Sequence, residues 1–159
     1  MTIPSCISPH SVVNLKPGVT VVALDDDGAV YLTEEFHYGV GRVTIEAVSG
    51  GIEPAEGPLE TAKRELREEL GIEAEEWTDI GVVDPFTASV VSPTRLYVAR
   101  KLRFGDQALE GTEQIRRVRM TLAEAVQQVV LSKITHAPSC VAILKVALGS
   151  SCVSGRPSG

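Results

Sequence analysis

Three glutamates, Glu65, Glu68 and Glu69, stand at i, i+3 and i+4, so a helix over residues 58–70 would carry all three on one face. Carboxylates that close repel one another. A divalent cation removes the repulsion, and an all-oxygen donor set suits a hard ion such as Mg2+ or Mn2+. An isolated E-x-x-x-E is usually a solvated helix face; here Gly50, Glu56 and Gly71 flank the segment and shift the reading toward a metal site. Gly50 and Gly51 permit a tight turn just ahead of the helix and bring a backbone carbonyl toward the same ion. Glu56 and Arg64, taken by themselves, read as a structural ion pair. His37 and His136 read as surface or core residues, because neither has a nucleophile or a ligand-spaced partner nearby in the chain.

The helix that must hold these carboxylates has clear signals. Leu59, Ala62, Leu66 and Leu70 recur on one face, Pro58 suits the first helical position and Gly71 the carboxyl-terminal cap. Ahead of it, GVTVVAL (18–24) and AVYLT (29–33) flank Asp25-Asp26-Asp27-Gly28 and predict a hairpin. Further strands are expected at 43–48, 78–83, 94–102 and 114–120, where apolar residues recur near period two. A second helix should start after Thr121, whose hydroxyl can cap it while Glu124 reaches back, and run to about 131. A third is expected over 138–148. Strands, a helix, more strands and two helices predict an α/β fold, a mixed β-sheet covered by helices on both faces. The domain is expected over 18–148, with 1–17 as an amino-terminal extension and 149–159 as a flexible tail.

With 159 residues, 43% hydrophobic and 23% charged, the chain fits one globular domain. It has no apolar run of the ~18–20 residues that span a bilayer and no secretory signal, so no membrane partner is expected and the reading is cytoplasmic. A net charge of −6 argues against a nucleic-acid partner. The one basic cluster, Arg116, Arg117 and Arg119, is explained by alternation along a strand. Cys6, Cys140 and Cys152 are odd in number and far apart, and read as free thiols.

Residues 50–72, GGIEPAEGPLETAKRELREELGI, fill every specified place of the pattern G-x5-E-x7-R-E-U-x-E-E-x-G-U, with U aliphatic. The matches are Gly50, Glu56, Arg64, Glu65, Leu66, Glu68, Glu69, Gly71 and Ile72. With each residue type at roughly one in fifteen, seven fixed identities in register arise by chance about once in 10^8 positions. The segment resembles the Nudix box, which implies a Nudix-type α/β/α sandwich and a metal-dependent hydrolase of nucleotide diphosphates. The resemblance extends over roughly residues 18–146 to the ADP-ribose pyrophosphatase branch. Residues 45–50 (IEAVSG) are similar to its E-x-P-A-G approach, and 34–42 (EEFHYGVGR) to a segment in which His37 stands where an arginine is frequent. Residues 111–135 are similar to a late strand and following helix of that branch.

The resemblance implies a role for each matching residue. Ser49 through its carbonyl, Glu65, Glu69 and, assisting them, Glu68 would hold Mg2+ or Mn2+. Glu113, on the loop before the late strand, would help hold metal or orient the attacking water, with Glu110 the second choice. Arg64 and Glu56 would brace loop to helix, Gly71 would close the box, and Arg42, Glu46 and Gly50 would face substrate. The implied partner is a small nucleotide, ADP-ribose split to AMP and ribose 5-phosphate. Another nucleoside diphosphate compound, such as a dinucleoside polyphosphate, and a non-catalytic nucleotide-binding sensor are the alternatives. That branch pairs protomers through an amino-terminal strand region, which leaves a homodimer open; 17 residues precede the first core strand here. Pro85, Pro93 and the loop between them could line the substrate's far part.

Overall fold

A computed structural model describes residues 12–109 and 114–153 of the chain. The order is β1 (Val13–Asn14), β2 (Gly18–Leu24), β3 (Ala29–His37), β4 (Arg42–Glu46), β5 (Val48–Gly51), α1 (Pro58–Leu70), β6 (Ile72–Val83), β7 (Val90–Val91), β8 (Thr94–Phe104), β9 (Arg116–Thr121), α2 (Leu122–Val130) and α3 (Ala137–Val153). Strands β4, β3, β2, β8 and β6 lie side by side in that order, with β5 added to β2 and β9 to β3. Only β2 and β8 run parallel within this sheet, so it is mixed.

Strand alternation explains the layers. Val19, Val21 and Ala23 point to one face, where they meet Ala62, Leu66 and Leu70 of α1 together with Ile72 and Tyr97. Val22 and Leu24 point to the other face and meet Ala125 of α2 and Ala142, Ile143 and Val146 of α3, along with Leu32 and Leu96. A central strand covered on both faces needs a nearly continuous apolar run, which GVTVVAL supplies. The result is the expected α/β/α sandwich. Among the described residues no helix is long and apolar enough to cross a membrane.

The helix signals hold. Pro58 stands in the first turn of α1, and Gly71 caps its end at φ 61°, a left-handed conformation that costs glycine little. Thr121 and Glu124 form the reciprocal cap of α2. The third helix runs to Val153, beyond the expected 148.

The strand expected at 43–48 is two strands. Strand β4 pairs with β3 and β5 pairs with β2, and between them the Ala47 amide donates to the Ser139 hydroxyl at 2.9 Å. A change of neighbour thus breaks a segment whose residue pattern looks continuous. Strand β6 begins at Ile72, directly after the helix cap, and pairs with β8 along nearly all of its length. The arginine triplet is tied into the sheet: Arg116 pairs with Glu34, Arg117 donates to the Leu70 carbonyl, and Arg119 reaches Tyr31 and Asp25.

Candidate active site

Helix α1 buries its apolar stripe on the sheet, which turns Glu65, Glu68 and Glu69 toward the loop after β5. Those three line one recess of about 180 Å3 with Lys16, Gly51, Glu53 and Arg64. Gly50 makes the approach of helix to loop possible, since a Cβ there would stand 2.0 Å from Glu65 Oε1. Only a residue without a side chain lets that carboxylate lie over the loop.

Arg64 organises the acids. Its Nε and Nη2 donate to the two oxygens of Glu56 at 2.9 and 3.1 Å, a bidentate clasp that ties the loop to the helix. Its Nη1 donates to Glu68 Oε2 at 2.9 Å and stands 3.0 Å from Glu65 Oε1. The three-carboxylate face is therefore compensated by a cation within the same helix. Hydrogen bonds from Arg64 and then from Thr61 hold the Glu56 carboxyl below its usual range, and those same Glu56 bonds push the Arg64 guanidinium further up.

As placed, no three histidine, cysteine, aspartate or glutamate side chains among the described residues converge closely enough to ligate one ion. Glu65 and Glu68 instead contact Arg64, at 3.0 and 2.9 Å. The donor chemistry nonetheless fits a hard divalent cation: four carboxylates, Glu53, Glu65, Glu68 and Glu69, line one small recess, and Glu65 lies in a cradle over Gly50 that a Cβ would fill. Ser49 on β5 lines the neighbouring cavity, and its hydroxyl is held between Thr20 Oγ1 and the Ala47 carbonyl, each at 2.9 Å.

Glu110 and Glu113 lie outside the described residues. The chain on either side of them is anchored to the end of α1. The Ala108 amide donates to the Glu68 carbonyl at 3.0 Å, and the Gln107 side chain donates to the carbonyls of Glu69 and Ile115.

One further cavity adjoins the recess, and another adjoins that one. The first, of about 520 Å3, shares Lys16 and Gly51 with the recess and reaches past Gly50 and Ser49 to His37, Glu46, Thr94 and His136. The next, of about 480 Å3, shares Glu46, Thr94 and His136 and ends on Leu15, Pro85, Phe86 and Pro138. Glu46 and Gly50 thus both face the cavity, as does the Pro85 loop. Arg42 is not among the lining residues of either cavity; it is exposed, and its Nη2 donates at 3.0 Å to Oγ1 of Thr135, which lines the second cavity.

The chain neighbourhood of His37 and His136 concealed their role. His37 Nε2 stands 3.5 Å from Glu46 Oε1 and His136 Nδ1 stands 3.3 Å from Glu46 Oε2. The two imidazoles, nearly a hundred positions apart in sequence, bracket one carboxylate. Burial is the main influence on His136 and lowers its pKa; the Glu46 charge opposes this and His37 reinforces it. Lys16 was equally hidden, in a segment read as an extension; it pairs with Glu53 at 2.7 Å and stands where recess and cavity meet. No local signal in the sequence marks any of the three. Cys140 is a free, half-buried thiol whose pKa burial raises.

The NUDIX domain family model matches residues 14–138, a span that contains the carboxylate recess and the adjoining cavities. The chain belongs to the Nudix family. Members of this hydrolase family generally use divalent metal cations. Among curated relatives, this Nudix chain is 34% identical over 98 residues to an ADP-ribose pyrophosphatase of Mycobacterium tuberculosis, covering 61% of this chain and 47% of that protein. It is 28% identical over 144 residues to an ADP-ribose pyrophosphatase of Bacillus subtilis, covering 86% and 75% respectively. A methanol dehydrogenase activator of Bacillus methanolicus is 29% identical over 140 residues, again covering 86% and 75%. A crystal structure of an ADP compounds hydrolase superposes with a TM-score of 0.74 over 91% of this chain and 79% of that one; at 23% identity this is a likeness of fold. This Nudix hydrolase is related to ADP-ribose pyrophosphatases at modest identity.

Proposed function

We propose that this Nudix hydrolase cleaves the diphosphate of a nucleoside diphosphate sugar in a Mg2+-dependent reaction, with ADP-ribose split to AMP and ribose 5-phosphate. The observation that carries the reading is the adjacency of the carboxylate recess to a row of two cavities of mixed polarity, the first of which shares Lys16 and Gly51 with it. One end suits a charged diphosphate and the other an uncharged group.

A diphosphate resists hydrolysis because its oxygens repel a nucleophile, so catalysis requires charge neutralisation and an aligned water. Glu65, Glu68 and Glu69, with the Ser49 carbonyl, would hold Mg2+, which would supply that neutralisation and lower the pKa of water there. Arg64 and Glu56 keep the loop of Gly50 docked on α1, so the carboxylates share one recess. Lys16 draws phosphate oxygens toward it; its exposed pair with Glu53 is worth little and exchanges readily for a phosphate. Glu113 orients the attacking water and accepts its proton, a role supported by the resemblance of its segment and by the anchoring of the described flanks to α1.

The test is a panel of nucleotides incubated with Mg2+ and then with alkaline phosphatase, which releases phosphate only from monoesters. ADP-ribose should yield phosphate in a protein- and Mg2+-dependent manner. Release from dinucleoside polyphosphates alone would replace the substrate assignment. Binding without release from any compound would make the protein a nucleotide sensor.

A further inference from the structure

The proposed hydrolytic chemistry leaves one polar cluster unused, the Glu46 carboxylate between His37 and His136. Glu46 ends β4 with a side chain only 14% exposed, and each of its oxygens is flanked. Oε1 accepts from Thr44 Oγ1 at 2.7 Å and faces His37 Nε2 at 3.5 Å; Oε2 faces His136 Nδ1 at 3.3 Å. His136 is itself held by the Ser139 hydroxyl at 2.8 Å, which also takes the Ala47 amide. The Thr44 hydrogen bond and the burial of the side chain pre-organise this carboxylate, the two imidazoles flank it at ion-pair distance, and with about four lone-pair directions it can still accept from a ligand.

The position of the cluster determines what it can read. From the carboxylate recess the wall runs through Lys16, Gly50 and Gly51 to Glu46, and from there to Pro85, Phe86 and Pro138. A nucleoside diphosphate has the same order: charged phosphates, then a sugar bearing neighbouring hydroxyls, then a flat, largely apolar base. Phosphate oxygens only accept hydrogen bonds and carry negative charge, so Glu46 repels them. The ribose diol offers two O–H donors to one carboxylate, and the proline and phenylalanine surfaces match the face of a base.

We propose that Glu46, held by Thr44 and flanked by His37 and His136, binds the ribose hydroxyls of the nucleoside half of the substrate, with the base against Pro85, Phe86 and Pro138. This assignment rests on the nucleoside diphosphate reading given above. Glu46 touches the ligand; His37 and His136 are positioning residues that flank its carboxylate.

Calorimetric titration of the full-length protein in Mg2+ with AMP, 2′-deoxy-AMP and 3′-deoxy-AMP tests it without requiring turnover. Loss of a hydrogen bond to a charged group costs enough that at least one deoxy analogue should bind the wild type about tenfold or more weakly than AMP. In Glu46→Gln the preference for AMP should collapse toward unity. His37→Asn, at a half-exposed site whose replacement leaves the core alone, should shrink the preference partway, a change that a merely structural histidine would not cause. Equal binding of AMP and both analogues by the wild type, absence of AMP binding, or an undiminished preference in folded Glu46→Gln overturns the proposal. If the preference depends on Glu46 while no diphosphate compound is hydrolysed, the subsite stands and the proposed reaction falls.

Discussion

The carboxylate recess and the cavity around Glu46 are built in opposite ways. The recess takes nearly all of its polar groups from one loop and one helix, Gly50 to Glu69, so its geometry follows from helical periodicity and one glycine contact. The cavity draws on Leu15, His37, Glu46, Pro85, Thr94 and His136, which come from separate segments and meet only through the sheet. A locally encoded site keeps its chemistry as long as the helix docks, whereas a site assembled from distant segments can change its specificity one residue at a time. Substitutions in the recess should therefore act on kcat, and those in the cavity on binding.

The largest effects are expected where the reacting atoms are handled. Glu113→Gln should lower kcat and kcat/KM together by about 10^2 to 10^4 if Glu113 is the general base, with nucleotide binding nearly intact. Glu110→Gln should do less, and the reverse ranking would exchange the two roles. Glu69→Gln should likewise abolish most turnover while leaving the melting temperature in EDTA nearly unchanged. Millimolar Mg2+ should raise the wild-type melting temperature by mass action and raise that of Glu69→Gln less. Equal melting temperatures with and without Mg2+ in the wild type would contradict the metal assignment.

A smaller effect probes the local character of the recess. Gly50→Ala places a Cβ 2.0 Å from Glu65 Oε1, so the carboxylate must swing away. The clash reaches the Glu65 Cγ at 2.5 Å, so the whole side chain must change rotamer, but it involves no backbone atom and folding should suffer less than activity. A misplacement of that size in a positioned site can cost on the order of 10^2 in rate. Turnover assays beside a thermal melt would decide: loss of activity with a retained fold supports the cradle, and full activity means that Glu65 need not lie over Gly50.

The same contrast explains what could be read from the chain. Ala62, Leu66 and Leu70 announced the buried face of α1, and Thr121 with Glu124 announced the start of α2, because both signals lie within a few residues. GVTVVAL (18–24) marked a strand of a hairpin, though its central, parallel pairing with β8 was not announced. The break at Ala47 was hidden, since it arises from a change of partner strand and a hydrogen bond to Ser139, 92 positions away. His37, His136 and Lys16 were hidden for the same reason. Arg64 was read as a brace for Glu56, yet its reach to Glu65 and Glu68 required side-chain geometry that spacing alone does not give.

The smallest effect tests whether that brace acts through charge. Hydrogen bonds from Arg64, and secondarily from Thr61, hold the Glu56 carboxyl below its ordinary value of 4.5. The folded protein therefore gives up this proton more readily than the unfolded chain does, and the clasp adds stability that is fully present above about pH 4.5. That contribution is lost as pH falls through the depressed folded value, where protonation removes the charge that Arg64 binds. Glu56→Gln lacks the charge at every pH. In EDTA the wild type should melt above Glu56→Gln near neutrality, and the gap should narrow as pH drops below 4.5. Asp25, Asp79 and Glu124 are also held below their ordinary values, but they titrate in both proteins and cancel in the comparison. Both partners of the clasp are about a quarter exposed, with side-chain accessibilities of 27% for Arg64 and 25% for Glu56, so solvent screens it and the gap should be modest. A gap that persists unchanged into acid would mean that Glu56 holds the loop through its shape and neutral hydrogen bonds, and that Arg64 serves chiefly Glu65 and Glu68.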